Sequence, residues 1–215
     1  MEREGSRPTA CILGDSAVAP FGRTGRARLE RQLAAVGLPP AGRAEEAGLL
    51  LSGECLFATP VIAGLAGAAP GTILADDAGR VAAARLPAGA GIVRVVAEGS
   101  PAPAEAVTAA AVAGRHDAKL RKRAAPLLLR ARERGVAERA LFDASYKGVT
   151  DLVTKHLWPA PALAATRACA RAGITPNQVT WASVALTLLA FWLFWQGAFW
   201  GGLAAAWAMT FLDTV

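Results

Sequence analysis

Residues 172–212 form a run of 41 residues without a charged side chain or a histidine, and this run limits the possible folds more than any other feature. Soluble domains rarely leave so long a stretch uncharged. About 20 apolar residues are enough to cross the hydrocarbon core of a bilayer. The run is therefore long enough for two membrane passes.

Positive charge is concentrated directly before this run. Residues 115–171 contain 13 Lys and Arg against 5 Asp and Glu, whereas the whole chain carries a net charge of +6. Because basic flanks of membrane helices stay in the cytoplasm, this block is predicted to lie on the cytoplasmic side, where it would attract anionic lipid head groups. Basic blocks are also typical of nucleic-acid-binding proteins. No such motif accompanies this one, so we predict no nucleic acid partner.

The cysteines and the amino terminus agree with a cytoplasmic setting. Cys11, Cys55 and Cys169 lie far apart and lack metal-ligand spacing, so neither a disulfide framework nor a metal site is predicted from them. Residues 1–8 are charged and no apolar segment follows them, so no secretory signal peptide is expected. The first membrane span is then expected to act as the insertion signal.

The pattern in residues 1–114 predicts a small α/β domain. Short apolar runs bounded by turn residues predict strands, and the spacing of Leu29, Leu33 and Val36 predicts a helix that Gly37 ends. The predicted strands are 9–13, 48–52, 71–75, 80–86 and 92–97, and the predicted helices are 26–36 and 60–68. Residues 76–79 are predicted to form the turn of a hairpin, and 101–103 a linker.

Residues 115–171 are predicted to be a basic linker followed by an amphipathic helix. Residues 116–139 are strongly charged and helical in pattern, with charges on all sides. From residue 140 onward, apolar residues group at helical spacing, which favours a helix lying on the membrane surface. Pro159 and Pro161 are expected to end that helix, with Trp158 belonging to the same surface segment.

Three charged residues share one face of the predicted surface helix. Lys147, Asp151 and Lys155 recur every four residues. One interpretation is a pair of exposed salt bridges, which would contribute about 0.3–0.5 kcal/mol each. The other is a cationic rim that faces phosphates or a charged acceptor.

Residues 172–215 predict two membrane helices joined by a turn. Thr175 is a suitable cap, Pro176 suits the first helical position and Gln178 completes a capping box. A helix over 176–196 would be about 31 Å long. The second helix is expected to start near Ala198 and return to the cytoplasmic side, so that Asn177 and Asp213 lie at the same membrane face. Trp181, Trp192, Trp195 and Trp200 fall near the two expected interfaces.

Three segments in this order resemble the opening of the CDP-alcohol phosphotransferase (CDP-alcohol phosphatidyltransferase) family. They are SYKGVTDLVTK at 145–155, TPNQVT at 175–180 and FLDTV at 211–215. The family consists of integral membrane enzymes with a core of about six helices, and its signature is D-x-x-D-G-x-x-A-R followed by G-x-x-x-D-x-x-x-D. Asp213 matches the first Asp, and the second is expected one residue after Val215.

The resemblance implies an activity and a set of site residues. Family members transfer a substituted phosphate from a CDP-linked donor to an alcohol acceptor and release CMP, in phospholipid biosynthesis. Asp213 would be a catalytic metal ligand for Mg²⁺ or Mn²⁺, because hard divalent cations prefer carboxylate oxygens. Lys147, Asp151, Lys155 and Asn177 would bind substrate. The chain as given is expected to be inactive, since one carboxylate binds Mg²⁺ weakly.

Residues 1–114 are similar to sugar-phosphate nucleotidyltransferases. The similarity lies in ILG at 12–14 and TGRARLERQL at 24–33. Active members bind nucleotide phosphates with a Gly-rich loop that carries Arg and Lys. Here the loop is GDSAVAPFGR at 14–23, with an incomplete glycine pair and no Lys, and Glu54 stands where a metal-binding Asp is usual. The resemblance therefore implies a degenerate, non-catalytic domain.

The expected fold is an α/β cytoplasmic domain over 1–114, a basic linker and surface helix over 115–171, and the first two transmembrane helices of a six-helix bundle over 172–215. The expected location is the cytoplasmic membrane, with the lipid bilayer, a CDP-linked donor and an alcohol acceptor as partners. A homodimer is left open. The alternative is a non-enzymatic membrane-anchored scaffold whose α/β domain binds a nucleotide or a protein. The coding sequence after Val215 would distinguish the two.

Overall fold

The computed structural model describes residues 7–87, 93–114, 125–145 and 158–213. The chain divides into two compact units, Met1–Ser145 and Tyr146–Val215. The first combines strands and helices, and the described part of the second is helical. The expected α/β unit followed by a helical region is therefore confirmed at this level.

A mixed four-stranded sheet organises the first unit. The sheet has the order β1 (Ala10–Leu13), β2 (Leu49–Ser52), β5 (Val81–Arg85) and β4 (Ile73–Ala75). β1 and β2 are parallel, whereas β5 is antiparallel to both of its neighbours. A second, two-stranded antiparallel sheet pairs β3 (Cys55–Phe57) with β6 (Leu128–Arg130). The helices of this unit are α1 (Gly25–Val36), α2 (Thr59–Ala66), α3 (Val93–Glu98), α4 (Ala109–Val112) and α5 (Arg134–Ser145).

The sequence patterns explain the first strands and helices. All of β2 is buried, as expected for an apolar run in the interior of a sheet. Leu29 and Leu33 of α1 are buried in the core, and Gly37 ends that helix in the left-handed conformation, which glycine adopts without strain. The predicted strands over 9–13, 48–52, 71–75 and 80–86 and both predicted helices are confirmed, with small shifts at their ends.

The predicted strand over 92–97 is wrong, because the described part of this segment forms helix α3. Its valines favour a strand by propensity. Both edges of β5 are already paired, one with β2 and the other with β4. Val96 instead packs as part of a helix against Leu50, Val81 and Ala84.

The first unit extends beyond the predicted boundary at residue 114. β6 pairs with β3, and Ala58 donates a backbone hydrogen bond of 2.7 Å to the Leu127 carbonyl. The prediction that 116–139 is helical is wrong for Leu128–Arg130, because Leu127 and Leu128 are buried and their backbone completes a sheet. The rest of that stretch up to residue 124 lies outside the described residues.

Three helices form the described part of the second unit: α6 (Pro159–Arg171), α7 (Pro176–Trp195) and α8 (Phe199–Leu212). Pro159 occupies the first turn of α6 and begins this helix. Whether it also ends a preceding helix, as predicted, lies outside the described residues. The first turn has no need of the N–H that proline lacks. α7 and α8 pack as a hairpin around Gly197, which has a φ of 75°.

α7 has the length and composition of a membrane span. Its 20 residues have a mean hydropathy of 1.5, and 6% of its apolar window is buried. α8 is apolar but has 14 residues, or about 21 Å of helix, which is shorter than a bilayer core of about 30 Å. Within the described residues, one helix thus meets the length of a span where two were predicted.

Candidate active site

The start of α7 marks one end of the helical hairpin. The Thr175 hydroxyl accepts a hydrogen bond from the Gln178 N–H, and the Gln178 side chain accepts one from the Thr175 N–H at 2.8 Å. This reciprocal box satisfies two N–H groups that the helix itself leaves without partners. Asn177 follows Pro176 in the first turn and is exposed. The predicted helix start is confirmed, whereas substrate binding by Asn177 stays a prediction.

Small side chains allow α7 and α8 to approach closely. The buried residues of the pair are Ser183, Ala190, Gly202 and Ala205. A Cβ placed on Gly202 would lie 2.7 Å from the Phe194 ring. The large apolar side chains are exposed instead, including Trp195 at 79% and Trp200 at 86%. The small residues thus lie between the two helices, and the large apolar residues lie on the outside of the pair.

Asp213 lies at the carboxyl end of α8, and its side chain makes a hydrogen bond to α7. Its Oδ1 accepts from the Ser183 hydroxyl of α7 at 2.8 Å. Ser183 is buried at 7% exposure, whereas Asp213 is exposed. Within the described part of the chain, Oδ2 of Asp213 has no hydrogen-bond partner. One carboxylate oxygen is thus held by Ser183, and the other is open.

The partner of Asp213 sets its depth along the hairpin. Ser183 is six residues after Asn177, which corresponds to about 9 Å along the helix axis. Asp213 and Asn177 belong to the same end of the hairpin, as predicted. The structure brings Asp213 to Ser183 rather than to Asn177, and sequence reasoning did not identify Ser183. Its small size within an apolar helix was the available signal.

The remaining predicted site residues, Lys147, Asp151 and Lys155, lie outside the described residues. Their assignment to a cationic rim or to exposed salt bridges therefore stays a prediction.

Asp213 fits one coordination position of a hard divalent cation. It offers an exposed carboxylate with an open oxygen, and such cations prefer oxygen ligands. A cation of this kind takes six or more ligands, often several of them waters. Over 7–87, 93–114, 125–145 and 158–213, no group of three or more His, Cys, Asp or Glu residues is placed to hold a metal. Asp213 would therefore need further carboxylates from outside these ranges.

An aromatic cluster fixes the end of α8 that carries Asp213. Trp158, just before α6, is 4% exposed and packs edge-on against Trp207 and Phe211 at centroid distances of 5.8 and 5.6 Å. Edge-to-face aromatic pairs at such distances stabilise by about 0.5–1.5 kcal/mol beyond their burial. Trp158 is buried among these rings and is thus part of the packing between α6 and α8. Its spacing to Ala162 and Leu163, which are also buried, was the sequence signal for this face.

At the carboxyl ends of β1 and β2, three glycines of the first unit pack closely together. A Cβ on Gly25 would overlap the Gly53 carbonyl oxygen, and a Cβ on Gly53 would overlap the Gly14 carbonyl oxygen. The three glycine backbones are therefore in direct contact. Only glycine fits where backbones approach this closely.

A carboxylate also occupies the start of α1, where a phosphate would bind in a nucleotide site. Asp15 Oδ1 accepts from the backbone N–H groups of Ser16 at 2.8 Å and Arg26 at 2.9 Å. Although partial burial raises the pKa of Asp15, the hydrogen bonds from Arg26, Thr24 and Ser16 outweigh it and lower the pKa. The carboxylate is thus ionised at neutral pH, and an ionised group in this position repels phosphates.

Glu54, which follows Gly53, pairs with an arginine. Arg130 of β6 donates to Glu54 at 2.6 Å, to Asp76 at 3.1 Å and to the Val81 carbonyl at 3.0 Å. The side chains of Arg130 and Asp76 are 8% and 2% exposed. Sequence reasoning missed this network because Arg130 is 49 to 76 residues from its partners along the chain. The guanidinium lies between the two carboxylates.

The cysteines play no part in these arrangements. Cys11, Cys55 and Cys169 are free. Burial raises the pKa of the Cys55 thiol to about 12, so it is neutral at physiological pH and serves as an apolar core residue.

Comparison of the chain with family models, with curated proteins and with solved structures found no match.

Proposed function

We propose that this chain is the amino-terminal part of an integral membrane CDP-alcohol phosphotransferase. The observation that carries the proposal is the Asp213 carboxylate, held by Ser183 at the end of an apolar helical hairpin. An ionisable side chain next to an apolar span is costly to keep there, so a functional role is the default hypothesis. The match of Asp213 to the family signature supplies the chemical role.

In the proposed reaction, the acceptor hydroxyl oxygen forms a bond to the phosphorus that carries the donor alcohol. The pyrophosphate P–O bond breaks, and CMP leaves with the electron pair. The hydroxyl proton must pass to a base, which the resemblance places after Val215. Asp213 would be one ligand of Mg²⁺ or Mn²⁺, and the bound cation would neutralise the phosphates. Asn177, Lys147, Asp151 and Lys155 are proposed to bind substrate.

The bilayer is the proposed environment of the hairpin. α7 is long and apolar enough to span, and its apolar side chains are exposed rather than buried as in the core of a soluble protein. The basic block over 115–171 places the start of α7 in the cytoplasm under this proposal. The first unit would then also be cytoplasmic.

The first experiment is to read the coding sequence after Val215. The proposal expects aspartates at the spacing of the signature, the first of them one residue after Val215. A continuation without them would favour the alternative, a membrane-anchored scaffold whose first unit binds a nucleotide or a protein partner.

The topology gives a prediction that does not depend on catalysis. A cysteine introduced at Gln196 is expected to react with an impermeant thiol reagent added to intact cells, because the turn between α7 and α8 would face the outside. Cys169 of α6 is the internal control and should react only after the cells are opened. Labelling of position 196 only in opened cells would contradict the topology.

The incomplete loop of the first unit predicts no nucleotidyltransferase activity. The full chain supplied with CTP, Mg²⁺ and a sugar or polyol phosphate is expected to release no pyrophosphate above background, because the loop at 14–23 lacks the Lys and the full glycine pair that would bind the phosphates. Pyrophosphate release that depends on the phosphorylated substrate would show that the unit is catalytic.

A further inference from the structure

Ser183 differs from the other helix hydroxyls described in the second unit. Four threonines donate to the carbonyl oxygen four residues earlier in their own helix, at 2.8–3.0 Å: Thr166, Thr180, Thr187 and Thr210. This back-bonding is the usual way for a helix hydroxyl to satisfy itself in an apolar setting. Ser183 instead donates across the helix pair to Asp213 at 2.8 Å.

The position of Ser183 limits how far this hydrogen bond lets the Asp213 carboxylate move. Ser183 is buried between α7 and α8, so its hydroxyl has little freedom to follow a moving partner. The end of α8 is also held by Trp158, whose ring packs against Phe211 of α8. The two contacts together fix where the Asp213 carboxylate lies and leave its Oδ2 open.

We propose that Ser183 is a positioning residue that holds the Asp213 carboxylate in the orientation required for its role in the site. This inference rests on the proposed function, in which Asp213 is a metal ligand. Hydrogen bonds to a ligating carboxylate fix its orientation, and their loss typically costs about 10- to 100-fold in metal affinity or activity. Ser183 would act through Asp213 and need not touch the substrate.

The test uses the full-length protein in lipid nanodiscs with matched variants. Ser183→Thr and Ser183→Val have the same shape and differ in the hydroxyl, and Ser183→Ala removes it with the least change in volume. Thr187→Val is the control, because it removes a hydroxyl one turn further along α7 that bonds to its own helix. Asp213→Asn is measured alongside.

Two readouts are compared: Mn²⁺ binding by electron paramagnetic resonance without substrate, and kcat and KM for CMP release. Ser183→Ala and Ser183→Val are expected to weaken Mn²⁺ binding and to lower kcat by about 10- to 100-fold, with KM for the donor little changed. Ser183→Thr and Thr187→Val should stay within about twofold of wild type, because both keep a hydroxyl at 183.

The outcomes separate this inference from the proposed function. Wild-type Mn²⁺ binding in Ser183→Val, with loss in Asp213→Asn, would overturn the inference alone. An equal loss in Ser183→Val and Thr187→Val would overturn it as well, since it would report general weakening of the hairpin. Retained binding and transfer in Asp213→Asn would overturn the proposed function and the inference with it.

Discussion

Asp213→Asn in the full-length protein is expected to lower the rate of CMP release by at least about 100-fold, comparable with the removal of a group that stabilises transition-state charge. The carboxamide has the shape of the carboxylate and can still accept the hydrogen bond from Ser183. It lacks the negative charge that a divalent cation requires. The loss should appear in kcat, and raising the concentration of Mg²⁺ or Mn²⁺ should restore only part of it.

The control for this prediction is Asp77→Asn, which changes an exposed carboxylate in the hairpin turn of the first unit. It should leave CMP release unchanged. Membrane insertion of Asp213→Asn should match wild type in an extraction assay. Wild-type turnover of Asp213→Asn at low metal would mean that Asp213 merely ends α8 at an interface, and the proposed active site would be misplaced.

Arg130→Met is expected to destabilise the first unit by about 3–5 kcal/mol, the usual effect of removing one partner from a buried ion pair. Methionine fills much of the arginine volume but removes the ion-pair partner of Asp76, whose side chain is 2% exposed and keeps only the backbone N–H groups of Ala78 and Arg80 at its Oδ1. Glu54 is 45% exposed, so water can replace most of its interaction with Arg130. The cost therefore comes mainly from Asp76, together with the lost bond to the Val81 carbonyl.

Hydrogen exchange of peptides from β5 and β6 measures this effect locally. Tryptophan fluorescence would not, because all six tryptophans lie between residues 158 and 207. Exchange in Arg130→Met should be faster by at least about 100-fold if these strands open with the whole unit. The control is Arg94→Met, which breaks an exposed pair with Glu98 and should leave exchange unchanged. Equal exchange in both variants would show that the buried network contributes little.

Local patterns were enough to predict the elements whose cause is local. The capping box at Thr175, the helix end at Gly37 and the apolar run of β2 each follow from residues within a few positions of one another. The valines of α3 were misassigned because their helix depends on packing against Leu50, Val81 and Ala84 of β2 and β5. Strand propensity does not contain those tertiary contacts.

The candidate site shows the same contrast between features with a local cause and features that depend on distant residues. The signature match identified Asp213 and the turn chemistry identified the hairpin, whereas Ser183 is 30 residues away and was recognisable only once α7 and α8 were packed. Trp158 was expected on a surface and is buried, because two rings of α8 cover it. Both the Ser183–Asp213 bond and the burial of Trp158 depend on contacts between residues distant in sequence, which a local sequence pattern does not contain.

CMP release by the wild-type full-length protein is the most direct test of the proposed function. The protein would be reconstituted in lipid nanodiscs and supplied with a CDP-linked alcohol donor, a panel of acceptor alcohols and Mg²⁺. The proposal predicts CMP in a one-to-one ratio with the transfer product for at least one acceptor, lost on chelation and restored by Mg²⁺ or Mn²⁺. No acceptor-dependent CMP from any donor and acceptor pair, in protein shown to be folded and inserted, would contradict it.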